Sequence, residues 1–452
     1  MLSSAASRSV ALNRFSSTER ILYWTIVLTP LWWLLGIQTL FYPALSAGLF
    51  LRAFDIDTLS DTRIAACVWA WLAVAITMMG TAIIGLSGMG FPTQQTAAAF
   101  ITFLKGYFLI FSCMALPFFC RVRVKVITRA VVWMTIGYLV TIAIELAMLV
   151  SRIGPTWILP PLARLIPGDK LSLRITFAEF QPFFGISFPR TVMYTPDPPI
   201  VGVCAVLCLF ICLGETNPRL RRWAMAGCLL ALLASFSRLA WVSLPLLLLL
   251  SACFRSLFAR LGALWATTSL FLLSGIFGIT VIELFEKPLE IFNKARPDST
   301  TDRALVVGKT LEAWQESPWI GWGVIQGSVR WYIYDIALGS FSTYASVLYL
   351  HGIVGFVVFV SAMALTLWDL VQTALRGSVA SQRAFASVIG LYILCSATTL
   401  TWMAVYFWFF FVWLGAILYS GQRHFKGVSE WEQLAINPTP PTGGSLNVWS
   451  YE

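Results

Sequence analysis

Residues 64–86 read IAACVWAWLAVAITMMGTAIIGL, with no charged side chain. An α-helix rises 1.5 Å per residue, so about 20 apolar residues cross the hydrocarbon core of a bilayer. This stretch is read as a membrane-spanning helix, and it decides the fold because the pattern recurs along the chain. Further spans are expected from Phe100 to Phe119, Ala130 to Val150, Ile200 to Leu213, Trp223 to Ala234, Leu239 to Phe254 and Leu261 to Leu284. Three more follow, from Ala345 to Leu367, Phe385 to Leu400 and Trp402 to Tyr419. Ile21–Leu51 is too long for one crossing. Pro30, Gly36 and Pro43 supply breaks that would let it cross twice.

Composition agrees. Of 452 residues, 58% are hydrophobic and 12% charged, against roughly 45–50% and about 25% in soluble domains. The mean hydropathy is +0.78. A cytosolic enzyme, a secreted disulfide scaffold and a disordered chain are excluded, because no soluble fold of this length hides so much apolar surface. The net charge of +10 does not point to nucleic acid. The basic residues form no single patch, but short clusters between apolar runs: Arg121–Arg129, Arg219–Arg222, Arg255/Arg260, Arg376/Arg383 and Arg423/Lys426. That is the pattern of cytoplasmic loops under the positive-inside rule.

Threading the chain on this rule gives an all-α polytopic protein with about 12 spans and both termini cytoplasmic. Eleven spans, with the N-terminus outside, is the alternative. The transmembrane domain covers 21–420, between a cytoplasmic N-terminal tail at 1–20 and a cytoplasmic C-terminal tail at 421–452. Two long outer loops, about 151–199 and 283–344, are expected to contain short helices. Chemistry is sought there, since loops on a rigid scaffold carry function. Glu145 is the clearest ionisable group within a span, and such scarcity argues against an ion-coupled transporter. Cys204, Cys208 and Cys212 recur every four residues on one helix face without an accompanying histidine or acid, so they read as small hydrophobes.

Three constellations could carry chemistry. Ser235-Phe236-Ser237-Arg238-Leu239-Ala240-Trp241 falls between two apolar runs and puts Arg238 at the outer membrane boundary. There it either bonds the carbonyls ending the preceding helix or clamps an anion. Ser299-Thr300-Thr301-Asp302-Arg303 has capping-box spacing and predicts a helix starting there, with Arg303 in the first turn, where amides and dipole favour an anion. Val307, Leu311 and Trp314 would share one face along the membrane surface, and Pro318-Trp319-Ile320-Gly321-Trp322-Gly323 would stop the helix. The third is Gly339-Ser340-Phe341-Ser342-Thr343-Tyr344, which opens a span. The hydroxyls of Ser342, Thr343 and Tyr344 either cap that helix or meet sugar hydroxyls. His351, two turns further in, reads as a packing histidine.

Together, the SFSRLAW segment, Arg303 with its W…P-x-x-G-x-G run, and the GS-x-STY…G-x-x-G helix start resemble the O-antigen ligase and polymerase superfamily, bacterial inner-membrane proteins that move lipid-linked glycans on the periplasmic side. The resemblance covers roughly Pro189–Phe356, including Asp197-Pro198. It implies that Arg238 and Arg303 engage the diphosphate of an undecaprenyl-linked glycan donor. It also implies a histidine base at the position where this chain has Phe341, a side chain that can neither accept a proton nor donate a hydrogen bond. Asp335, Tyr344 or a substrate group could substitute as base, or transfer could run without one. Arg190 and Arg330 are secondary candidates for glycan or phosphate contact.

The expected activity is therefore metal-independent polymerisation, or in second place ligation, of undecaprenyl-diphosphate-linked glycans onto a glycan or lipid-anchored acceptor. No cofactor and no nucleic acid is implied. Membrane lipid and other polysaccharide-assembly proteins are the remaining expected partners. A transporter or flippase of lipid-linked solutes, and a non-catalytic member of an assembly complex, are the alternatives.

Overall fold

Ser16 starts the first helix. Its hydroxyl accepts the Glu19 amide at 3.1 Å, and the Glu19 carboxylate accepts the Ser16 amide at 3.2 Å, a reciprocal cap that satisfies two otherwise open donors. The computed structural model describes residues 15–151, 157–160, 162, 173–183, 186–277, 297–331 and 334–425. Most of both expected tails and parts of the two expected outer loops lie outside the described residues.

Helices α1 (Ser17–Val27) and α2 (Thr29–Leu35) lead to α3 (Gln38–Ala53), with Gly36 at φ +69° between α2 and α3. Over the stretch 21–51, read in the sequence as a double pass, none of these helices is among those long and apolar enough to cross a membrane. Pro30 sits in the first turn of α2, where its missing N–H costs nothing. Pro43 lies inside α3 without ending it, flanked by the buried residues Tyr42 and Ser46. Next come α4 (Ile56–Asp61), α5 (Ala66–Gly88), α6 (Thr93–Cys120, with a π turn at Leu104–Phe108) and α7 (Val124–Val150).

Two antiparallel hairpins follow: β1 (Trp157–Ile158) with β2 (Ile175–Thr176), and β3 (Ala178–Phe183) with β4 (Ile186–Thr191), the latter pairing Glu179 with Arg190. Then come α8 (Pro198–Cys212), α9 (Pro218–Ala234), α10 (Arg238–Arg255), α11 (Leu257–Phe277) and α12 (Pro297–Gln315). The hairpin β5 (Ser328–Trp331) and β6 (Tyr334–Ala337) leads to α13 (Thr343–Leu375) and α14 (Val379–Leu394). Last is α15, from Leu400–Met403 through a 3-10 turn at Ala404–Phe407 into Trp408–Phe425.

Among the described residues six helices are long and apolar enough to cross a membrane: α5, α6, α7, α10, α13 and the Leu400–Gly421 part of α15. The chain is a mostly helical, multi-pass membrane protein. α8 and α15 form its centre: every α8 residue from Ile200 to Cys212 is buried, and 89% of the α15 apolar window is enclosed by protein. Lipid is as apolar as leucine, so such helices associate through close packing and not through escape from water. Gly227 of α9 illustrates this: a Cβ there would lie 2.1 Å from the Thr135 carbonyl oxygen of α7. The Cys204/Cys208/Cys212 face is part of the same packing, with Cys212 Sγ 3.5 Å from Thr135 Oγ1.

The two ends of the bundle differ. At one end Arg123 bonds Glu19 at 2.6 Å and Arg129 takes both oxygens of Glu215 at 2.6 and 2.7 Å. The opposite end gathers the starts of α8, α10 and α13 and the α14–α15 connection, and all three constellations meet there.

Candidate functional site

The turn between α9 and α10 is built to present Arg238. Ser235 ends α9, its hydroxyl donating to Leu232 O at 2.7 Å and accepting the Ser237 amide at 3.2 Å. Phe236 adopts φ +47°, a conformation usually left to glycine after a helix, and its ring packs on Phe188 and Trp241, each 5.6 Å away. Ser237 then precedes Arg238, the first residue of α10. Arg190 holds the turn from β4. It is 2% exposed, and its Nε donates to Ser235 O at 2.8 Å, with Nη2 3.5 Å from Phe236 O. The role of carbonyl clamp, read in the sequence as an option for Arg238, is filled by Arg190. Trp241 Nε1 adds a bond to Leu232 O at 2.7 Å.

Helix α12 begins at Pro297, three residues earlier than the Ser299–Asp302 spacing predicts. Proline suits the first helical position because its φ is already set and its amide is not needed. Arg303 therefore sits in the second turn and not the first, and the dipole argument for an anion at its backbone does not apply. The buried stripe is also rotated. Val306 and Thr310 are fully enclosed beside Arg303, while Val307 and Leu311 lie at the margin. Thr310 Oγ1 accepts the Gly339 amide at 3.0 Å, tying α12 to the turn that carries Phe341.

Arg303 reaches from α12 into the bundle. Its Nη1 donates to Ala397 O at 2.9 Å in the α14–α15 connection, and its guanidinium carbon lies 5.0 Å from the centre of the Phe341 ring. Burial lowers its pKa, while the charges of Asp197 and Asp302 oppose that shift. Asp197 immediately precedes α8. Five residues on, about 7.5 Å along the axis, Gly202 of α8 packs so closely on Ser237 that a Cβ would sit 2.6 Å from the serine Cβ. The start of α8 thus lies beside both the Arg238 turn and the Arg303 guanidinium.

The third constellation is a well-bonded helix start. Ser342 caps α13 through the Ala345 amide at 3.4 Å. Thr343 Oγ1 donates to Thr398 O at 2.6 Å and accepts the Leu400 amide at 2.9 Å. Tyr344 OH donates to Tyr392 O at 2.7 Å. Thr343 thus ties α13 to the α14–α15 connection that Arg303 also touches, Tyr344 ties it to α14, and Ser342 caps it. Arg330 and Asp335 stand opposite each other on the exposed β5–β6 hairpin.

The Pro318–Gly323 run does more than stop a helix. α13 is broken at Gly352 (φ +61°, ψ −166°), and the run lies across the break. The Trp322 and Gly323 amides donate to the Tyr349 and Leu350 carbonyls at 2.9 and 2.7 Å, and the Ile353 and Val354 amides to Pro318 and Trp319 at 2.8 and 3.1 Å. A Cβ at Gly352 would come 2.3 Å from the Trp319 backbone, and one at Gly321 would come 2.5 Å from that of Leu350–His351. Backbone broken inside a membrane protein must find such partners, because no water is available. His351 packs beside the break, its Nδ1 2.6 Å from Thr81 Oγ1.

These pieces fall in one stretch of chain. Residues 223–360 match the O-antigen ligase family. The matching segment holds the Arg238 turn, Arg303 with its helix, the Pro318–Gly323 crossing and the start of α13. No curated protein matches the chain. Two participants were not read from the sequence as parts of the ligase-type site. Asp197 enters the sequence reading only within the stretch that the resemblance covers, and its charge acts on Arg303 across more than a hundred residues of chain. Phe341 was read as a missing base, and it is in addition the shelf on which Arg303 rests.

Proposed function

We propose that this protein is a glycosyltransferase of the inner membrane that polymerises, or ligates, undecaprenyl-diphosphate-linked glycans on the periplasmic face. In this reading the chain crosses about twelve times with both termini cytoplasmic, which puts the starts of α8, α10 and α13 outside. The prenyl chain of the donor lies in the bilayer and its diphosphate meets Arg238 and Arg303. An acceptor hydroxyl attacks the anomeric carbon, the bond from that carbon to the diphosphate oxygen breaks, and undecaprenyl diphosphate leaves as the proton passes from the acceptor to a base. Arg190, Arg330, Ser342, Thr343 and Tyr344 lie around the path of the glycan. We assign Asp197 as base ahead of Asp335 and Tyr344, because its charge acts on Arg303, whereas Asp335 is on an exposed hairpin and the Tyr344 proton is committed to Tyr392 O.

The observation that carries the proposal is the setting of Arg303: a half-buried guanidinium over Phe341, near the charges of Asp197 and Asp302, within the segment that matches the ligase family. A desolvated cation held this way is pre-organised for charge developing on a leaving group. The test is transfer of glycan by membranes carrying Arg238→Ala, Arg303→Ala or Asp197→Asn, with insertion checked separately. Loss of transfer with normal insertion in the arginine variants is expected. Transfer at the wild-type rate in both would overturn the assignment.

A further inference from the structure

At the far end of the bundle lies a second concentration of positive charge that glycan transfer does not use. Arg383 is in the first turns of α14, about 16 Å of helix from the end of α14 that approaches Arg303. Its Nε is shielded from solvent and makes no hydrogen bond among the described residues. The charges acting on it are Arg255 of α10 and Arg221 of α9. Its Nη1 lies against the α8–α9 connection, 2.9 Å from where a Cβ of Gly214 would be.

Neighbouring groups do not neutralise it. Glu215, the nearby carboxylate, has both oxygens taken by Arg129, and one of them also accepts the Asn217 amide. Among the described residues Arg221 Nη1 reaches the Glu215 backbone oxygen, at 3.5 Å, and Arg255 Nε reaches the Gln382 side-chain oxygen, at 3.4 Å. Gln382 is itself anchored to Ala374 O at 3.2 Å. Arg383 thus faces two further guanidiniums, Arg255 and Arg221, while the Glu215 carboxylate is engaged by Arg129. Solvated arginines would spread into water. Here one is pressed between helices with an open donor inside, which is costly unless an anion completes it.

We propose that Arg221, Arg255 and Arg383 form a phosphate-binding site between α9, α10 and α14, fitted to the headgroup phosphate of an anionic lipid or to a free phosphate ion. Planar guanidiniums from three helices can each direct paired N–H groups at phosphate oxygens, and basic pockets between spans are where anionic headgroups settle.

The experiment is thermal unfolding of the full-length protein, delipidated in neutral detergent, with added dihexanoyl phosphatidylglycerol, dihexanoyl phosphatidylcholine or inorganic phosphate. Phosphatidylglycerol should raise the Tm, while phosphatidylcholine at equal concentration should not. In R383Q the concentration giving half the shift should rise about tenfold or more, as for one lost charge-assisted contact. R255Q, which changes an exposed side chain, should act in the same direction. A matching shift with inorganic phosphate assigns the site to the free ion, and its absence assigns it to lipid. An unchanged response in both variants, no shift with either phosphate source, or an R383Q protein less stable than wild type before any addition would overturn the proposal.

Discussion

The guanidinium carbon of Arg303 rests 5.0 Å above the ring of Phe341, and Phe341 reaches that position at φ +67°. A bulky residue in the left-handed region costs roughly 1–3 kcal/mol. A cation over an aromatic face returns roughly 0.5–2 kcal/mol, more when water is excluded. The ring and the cation hold each other, so the residue that cannot act as a base still fixes the geometry of the site.

Phe341→Leu should therefore lower glycan transfer about threefold to thirtyfold, the equivalent of that cation–π contribution, with normal amounts of inserted protein. Phe341→His should not raise it above wild type. Activity that appears only in the histidine variant would mean that the natural protein is a non-catalytic member of an assembly complex.

Gly352→Ala should be among the most damaging single changes. The φ/ψ of Gly352 suits glycine alone, and a methyl group would collide with Trp319. A cost above about 3 kcal/mol is expected, seen as loss of folded protein on size-exclusion chromatography in detergent. A monodisperse, thermally unaltered variant would count against the backbone crossing at 318–323.

Removing the carbonyl clamp with Arg190→Met should weaken the protein by about 1.5–3 kcal/mol, as for hydrogen bonds to a charged donor. It should reduce transfer further by freeing the turn that presents Arg238. The two effects separate if residual transfer is measured well below the variant's Tm. Full activity there would show that Arg190 serves stability alone.

Glu215 gives a pH signature. Burial raises its pKa, but hydrogen bonds from Arg129 and the Asn217 amide outweigh that and leave it below the ordinary 4.5. A depressed carboxyl stabilises the fold fully above its unfolded value and loses that contribution as pH falls through the folded one. The Tm gap between wild type and Glu215→Gln should stay constant down to about pH 5 and close below about 4.5. No gap at neutral pH, or a gap that does not narrow at all as the pH falls, would refute the pairing.

The sequence by itself determined the class of the molecule and the segment of interest. Spans are legible because each must bury some twenty apolar residues whatever its neighbours are. The arginine at 238 stood out because a charge between two such spans is costly wherever it lies. The start of α12, the rotation of its buried face and the continuity of α3 through Pro43 were not legible, since each depends on what packs alongside. Tertiary structure alone decided that Arg190 clamps the turn, that Asp197 acts on Arg303, and that the Pro318–Gly323 run bridges a broken helix. Such pairings are set by contacts between residues far apart in the chain. Periodicity records only which side of a helix is apolar, and it carries no information about which element lies against that side.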